Sequence, residues 1–252
     1  MHFSIDLNCD MGEGMDNDAL IMPFISSANI ACGYHAGDEF TMQQTVELAL
    51  QHNVVIGAHP SFPDKKNFGR INMNFHPDQV EEMIKIQLAT LSNIAVKNNA
   101  RLHHVKPHGA LYNMAAKDES LATAICNAVF ATDRSLWIYG LSGSKLIEKA
   151  QSMNLNTCQE AFADRYYQLD GSLTPRSQPN ALLENEGAAI EQVLQIILQK
   201  KVTTILGDTI PMIAETICIH GDGKQAVEFT RNIHTVLCEN SISITPKHET
   251  KK

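Results

Sequence analysis

Three carboxylates and an amide crowd the first strand-like run of the chain: Asp6, Asn8, Asp10 and Glu13, with Gly12 before the last. Alternate side chains of a strand share a face, so Asp6, Asn8 and Asp10 point together. Carboxylates held this close repel, so one keeps a proton or the group recruits a cation. Helix capping and loop hydrogen bonds are the plain structural use of the same residues. A second dense segment carries Asn29, then His35 bracketed by Gly33 and Gly37, then Asp38. A histidine between two glycines has little to pack against, whereas Asp38 suits an N-cap as well as it suits catalysis. His59, Pro60 and Asp64 follow, then Phe68-Gly69-Arg70. His35 and His59 with an early carboxylate, Asp10, make a two-histidine-one-carboxylate metal set. They lack the short His-to-His step of common zinc sites, and the same rings serve as proton carriers without a metal.

Lys106-Pro107-His108 and Tyr112 form the next group. A lysine here can hold an anion or a developing oxyanion, and His108 can exchange protons. His103 and His104 lie inside an apolar run and read as packed or surface residues. Residues 160–181 include Glu160, Asp164, Arg165 and Arg176 in a stretch too long and irregular for an ordinary connection, which suggests a lid. Arg165 and Arg176 offer forked donors for a carboxylate or phosphate, although an Asp164–Arg165 surface network would use them structurally. His220 and Asp222 end the series.

These groups need a scaffold that gathers them. Short apolar runs at residues 3–7, 28–31, 54–58, 102–105, 136–139, 156–158 and 217–219 read as strands. Helical patterns lie between them. Residues 77–96 repeat Val80, Ile84, Leu88, Leu91 and Ala95 at three- and four-residue steps, with Pro77 at a first helical position. Residues 183–200 repeat Ile190, Val193, Leu194 and Ile197 in the same way. Strand–helix alternation implies a parallel sheet. An open sheet concentrates its site at one crevice, but here titratable residues follow almost every strand, as at the mouth of a closed barrel. The expectation is an α/β fold, one β/α barrel domain over residues 1–246 with a solvated tail at 247–252.

The chain has 252 residues, 44% of them hydrophobic and 19% charged, which is ordinary globular composition. Its net charge of −8, with no basic face, argues against nucleic acid. No apolar run approaches the ~20 residues that span a bilayer, and the polar motif starts too early for a cleavable leader. A cytoplasmic location follows as an expectation. Six scattered cysteines without a Cys-x-x-Cys pair read as reduced thiols.

The blocks DLNCDMGE, SANIACGYHAGD, GAHPSFPD, FGR, KPHGALYN, EAFADRYY, LTPRS and ICIHGD, in this order over residues 6–222, resemble the LamB/YcsF family. Ile71 and the segment 15–18 depart from the family's usual residues, which bears on local loop shape. The resemblance implies a seven-stranded β/α barrel related to the glycoside hydrolase and deacetylase barrels. It also implies ATP-dependent opening of 5-oxoproline to L-glutamate, with magnesium and with 5-oxoprolinase subunits B and C. Gly140 to Lys145 is only a loose echo of a phosphate-binding loop, so phosphorylation is expected to lie with the partners. On this reading Asp10, Glu13, His59, Lys106 and His108 are catalytic. Asn8, Asn29, His35, Arg70, Tyr112, Asp164, Arg165, Arg176 and His220 contact substrate, and a divalent metal on Asp10, His35 and His59 is the alternative. The competing functions are a stand-alone metal-dependent deacetylase and a non-catalytic ligand-binding subunit.

Overall fold

The computed structural model describes residues 3–183, 185–221 and 226–248. Strand β1 (Phe3–Met11) sets the pattern for the rest. Ile5, Leu7, Cys9 and Met11 join the hydrophobic core, while Asp6, Asn8 and Asp10 reach polar partners on other strands. The next strands are β2 (Ser27–Ala31), β3 (Val55–His59), β4 (Leu102–Val105), β5 (Trp137–Leu141) and β6 (Asn156–Phe162). Each pairs parallel with the one before it. A small antiparallel pair, β7 (Lys201–Thr203) and β8 (Thr209–Pro211), stands apart. β9 (Thr216–Ile219) pairs parallel with both β6 and β1, and so closes a seven-stranded barrel. β10 (Ile242–Ile244) adds to the first residues of β1, Phe3 to Ile5.

All seven expected strands are present, but four run past the ends of their apolar runs. β1 continues to Met11, β3 to His59, β5 to Leu141 and β6 to Phe162. The inward-facing side chains of this barrel include polar ones, so a strand does not end where its apolar residues do. β7, β8 and β10 are additions that the sequence reading does not anticipate.

The helices are α1 (Asp18–Ile21), α2 (Glu39–Gln51), α3 (Pro77–Lys97), α4 (Gly109–Ala115), α5 (Glu119–Thr132), α6 (Lys145–Ser152), α7 (Glu186–Leu194) and α8 (Ala226–Glu239). α3 buries Val80, Ile84, Leu88, Leu91 and Ala95, the stripe expected from its periodicity, and starts on Pro77 behind a His76 cap. α7 begins later than residue 183, on an Asn185 cap, and runs on as a π turn over Gln195–Gln199. All six cysteines are free, and five are buried. Lys247, expected in a solvated tail, is part-buried and pairs with Glu215 at 2.6 Å.

Polar side chains occupy the barrel axis. Asp6 accepts from the hydroxyls of Ser26 and Ser27 at 2.6 Å and of Thr216 at 2.7 Å, and burial pushes its carboxyl pKa up. His104 is fully buried against Tyr139, their rings stacked at 4.0 Å, and its Nε2 lies 2.7 Å from Asn29 Oδ1. Asn29 in turn donates to Asn8 and Asp10, at 2.7 and 2.8 Å, so His104 fixes an amide that supports the mouth. Burial pushes the His104 pKa well down, which keeps the ring neutral. Gly57 on the neighbouring strand leaves the space for it, since a Cβ there would sit 2.0 Å from His104 Nε2. Gly57→Ala should therefore destabilise the protein by about 1–3 kcal/mol or more. A melting temperature equal to that of the parent would show that the ring does not need this gap.

Candidate active site

The C-terminal ends of β1, β3–β6 and β9 converge on a cavity of about 740 Å³ at the barrel mouth. Lys106 stands at its floor, just past β4, and is 2% exposed. Its ammonium lies 2.9 Å from Glu160 Oε1, 3.0 Å from Asp10 Oδ1, 3.1 Å from Asn8 Oδ1 and 3.0 Å from the Cys218 sulfur. Burial opposes the charge, but Asp10 and Glu160 outweigh it and hold the Lys106 pKa well above its usual value. Burial also works against the Asp10 carboxylate. There His59 and Lys106 prevail, and its pKa falls well below the ordinary range. Asp10 is thus a permanent anion whose Oδ2 faces His59 Nε2 at 3.3 Å.

On one side of this pair three imidazoles meet Glu13. Its Oε1 lies 3.0 Å from His35 Nε2, 3.4 Å from His108 Nδ1 and 3.8 Å from His59 Nε2. His59 Nε2 and His108 Nδ1 are 2.9 Å apart. The His35 and His108 rings stack at 3.8 Å under the edge of Phe68. Phe68 takes a left-handed conformation, φ 56°, costly for a bulky residue, and its carbonyl lies 2.9 Å from His108 Nε2. Gly69 follows with φ 63°, and a Cβ there would meet both His108 and His35 at 2.9 Å. The Phe68-Gly69 turn is therefore shaped around the two rings. Burial pushes the pKa of His35 down to about 3 and that of His108 well down.

On the other side His220 Nδ1 contacts both oxygens of Asp164, at 2.9 and 2.8 Å, and its ring stacks on Phe162. Burial opposes ionisation of Asp164, but the His220 ring outweighs it and the carboxyl pKa is lowered. Tyr112 also lines the cavity, and its buried hydroxyl oxygen has no hydrogen-bond partner.

The structure brings most of the expected site residues together: Asn8, Asp10, Glu13, Asn29, His35, His59, Lys106, His108, Tyr112, Asp164 and His220. Arg70 and Arg176 reach the cavity rim from exposed positions. Arg165 also lines the cavity, but its guanidinium donates to Ala181 O and Thr174 O, tying residues 165–181 into a folded loop. Asp164 pairs with His220 rather than with Arg165 in a surface network. Asp38 is an N-cap of α2, and Asp64 caps the turn Lys65–Asn67. Of the metal set expected at Asp10, His35 and His59, Asp10 Oδ2 lies 3.3 Å from His59 Nε2, and its three residues fall in two neighbouring groups of possible ligands. Glu13 and His108 join the two histidines, while Asp10 groups with Cys218 and His220. Asp222 lies outside the described residues. Glu160 and Cys218 belong to the site although the sequence reading does not place them there. Their signal is strand phase, since Glu160 Oε1 accepts from Asn8 Nδ2 at 2.9 Å inside the barrel.

Residues 5–252 match the LamB/YcsF family. The chain belongs to this family. It is 51% identical over 249 residues to a Bordetella parapertussis protein named as the A subunit of 5-oxoprolinase, covering 97% of this chain and 99% of that one. A Bacillus cereus protein of the same name is 49% identical over 251 residues, with the same coverage. Among solved structures, a lactam utilization protein from Thermus thermophilus superposes with a TM-score of 0.91 at 37% identity, covering 96% of this chain and 99% of that one. A polysaccharide deacetylase from Bacillus cereus shares the fold, with a TM-score of 0.51 at 15% identity over 100% of this chain and 95% of its own. Among the described residues of this LamB/YcsF barrel, no helix is long and apolar enough to cross a membrane.

Proposed function

We propose that this chain is the lactam-opening component of an ATP-dependent 5-oxoprolinase, releasing L-glutamate together with subunits B and C in the cytoplasm. The names of its LamB/YcsF relatives support the substrate. The observation that carries the chemistry is the mouth itself. A charged lysine, an ionised aspartate and a histidine–aspartate dyad face one cavity. ATP with magnesium is assigned to the partners. The strand–turn–helix at residues 140–145 supports this, because Lys145 pairs with Glu148 on the surface and Gln159 takes the Gly143 N–H.

A lactam is a poor electrophile, and phosphorylation of its oxygen makes the ring carbon open to water. Asp10 Oδ2 holds the water and accepts its proton as the oxygen adds to that carbon. Lys106 offsets the negative charge that develops. The C–N bond then breaks, and the ring nitrogen takes a proton from His220, which Asp164 orients and stabilises as imidazolium. A second water releases the phosphate from the acyl phosphate left behind. Arg70 and Arg176 at the rim suit the substrate carboxylate, and Tyr112 offers its hydroxyl. The cluster of Glu13 and three histidines is reserved for a divalent metal in the barrel mouth, which would add Lewis acidity there.

That cluster also favours a second reading, a metal-dependent amide hydrolase that works without ATP. The deciding assay follows glutamate released from 5-oxoproline, with and without ATP, by this chain alone and mixed with candidate B and C subunits. Release only from the complete mixture with ATP is expected. Release by this chain alone without ATP would favour the second reading, and no release from any combination of folded proteins would overturn the proposal.

A further inference from the structure

We infer that His103 and His104 are positioning residues for Asp10, in a one-way hydrogen-bond relay that starts at the C-terminal segment 245–248 and reaches Asp10 through Asn29. Its functional meaning rests on the proposed role of Asp10 as the holder of the attacking water. Its geometry rests on two histidines that the proposed reaction does not use.

At the mouth an ammonium only donates and an ionised carboxylate only accepts. Asn29 Nδ2 lies 2.8 Å from Asp10 Oδ1 and 2.7 Å from Asn8 Oδ1, the oxygen that also receives the Lys106 ammonium at 3.1 Å. Asn29 therefore turns its nitrogen to the mouth and its oxygen back to His104 Nε2, 2.7 Å away. An amide oxygen only accepts, so His104 carries a proton on Nε2. Burial pushes the His104 pKa well down and keeps the ring neutral, which leaves its Nδ1 a bare acceptor. His103 Nδ1 lies 3.2 Å from that nitrogen and must donate to it. Three successive donors, His103 Nδ1, His104 Nε2 and Asn29 Nδ2, thus point one way and end on the Asp10 oxygen. Flipping the Asn29 amide would set oxygen against Asp10 and nitrogen against a ring N–H, so His104 decides which way it stands.

At the other end His103 Nε2 lies 2.8 Å from Lys247 O, a carbonyl that only accepts, so this nitrogen needs a proton as well. Only the imidazolium meets both contacts. The segment is also held where Thr245 N donates to Ile5 O at 2.9 Å and where the Lys247 ammonium pairs with Glu215. Besides His104 on its own strand, His103 faces Asp6 of β1, Trp137 and Tyr139 of β5, and His248. Burial pulls the His103 pKa below its usual value, against Lys247 O and Asp6, which raise it. A neutral His103 keeps one bond of the two. His104 is 0% exposed, and an unmet acceptor sealed there costs more than one at the half-buried Lys247, which water can serve. The remaining proton therefore stays on Nδ1. The relay to Asp10 persists, and the hold on Lys247 O is released as the pH rises.

The test begins with nitrogen NMR of the imidazoles in the full-length protein, with His103→Gln and His104→Phe assigning the signals. His104 should be neutral with its proton on Nε2 at every pH where the protein is folded. His103 should keep its Nδ1 proton and gain one on Nε2 as the pH falls, while hydrogen exchange at residues 245–248 slows. A charged His104, or one protonated on Nδ1, would overturn the inference even where a variant does not fold. His104→Phe keeps a ring against Tyr139 and deletes the donor. In the complete glutamate-release assay it should lower kcat/KM about tenfold or more, chiefly through kcat, and His104→Gln, which returns an N–H, should recover part of the loss. In the same Phe variant the Asp10 carboxyl, followed by its carbon signal, should titrate at a higher pH than in the parent. An unmoved Asp10 titration would break the link between the relay and Asp10. That readout needs no turnover, so absence of glutamate release from every mixture would count against the lactam reading and not against the relay.

Discussion

Lys106→Met is expected to destabilise the protein by about 3–5 kcal/mol, because it removes the cation from a buried ion cluster while leaving the anions in place. Methionine keeps much of the lysine stem, so packing changes little. Glu160 is 0% exposed and its Oε1 loses the ammonium at 2.9 Å, while Asp10 loses one at 3.0 Å. For a chain of this size that corresponds to a fall in melting temperature of roughly 6–20 °C. Turnover of whatever remains folded should drop at least about a hundredfold, since the charge that offsets the developing anion is gone. The double variant Lys106→Met/Glu160→Gln tells pairing from packing. A neutral amide still accepts from Asn8 through its oxygen and no longer needs a cation, so part of the lost stability should return. A single variant that melts within a degree or two of the parent would mean that the cluster is not held as described. A double variant no more stable than the single would mean that the damage is steric.

The barrel is legible in the sequence because each strand carries its own apolar run and each is followed by turn chemistry or a helix. Strand count, parallel pairing and the gathering of polar residues at one mouth all follow from that repetition. What escapes is the inside of the barrel. An apolar run stops where polar residues resume, so Glu160 reads as loop although it continues the inward phase of β6. Which acid serves which base is also hidden. Asp164 is adjacent to Arg165 in sequence but turns to His220, 56 residues away. Asp38 and Asp64 look as chemical as Asp10, and only their contacts with the backbone N–H groups of Thr41 and Asn67 mark them as caps. The orientation of the His35, His59 and His108 rings is set by Ser61, Lys106 O and Phe68 O. Two of those partners are backbone carbonyls, which every residue possesses, so no residue type could announce them.

Asp10→Asn should leave the fold nearly intact and lower kcat/KM by about 10²–10⁴-fold. Asparagine keeps the shape, its oxygen still accepts from Asn29 and Lys106, and Glu160 remains as the counter-charge for the lysine. What disappears is the anion that faces His59 and the cavity. The pH profile separates this from other causes. The Asp10 pKa is lowered in the folded protein, so its ionisation stabilises the fold above the usual carboxylate range, and that contribution is lost as the pH falls through the folded value. The same depression means that Asp10 is already ionised throughout the range where histidines titrate. It cannot be the group whose protonation forms an acid limb of kcat/KM in that range. A carboxylate depressed this far is a weak base, so its contribution comes from position and fixed charge rather than from a matched pKa. Asp10→Asn should therefore lower the whole profile without moving the acid limb, and should flatten the stability curve only at acid pH. A variant in which the limb shifts would show that Asp10 titrates in the working range, against the hold of His59 and Lys106. Near-normal turnover would take Asp10 out of the reaction and leave it the task of anchoring the lysine.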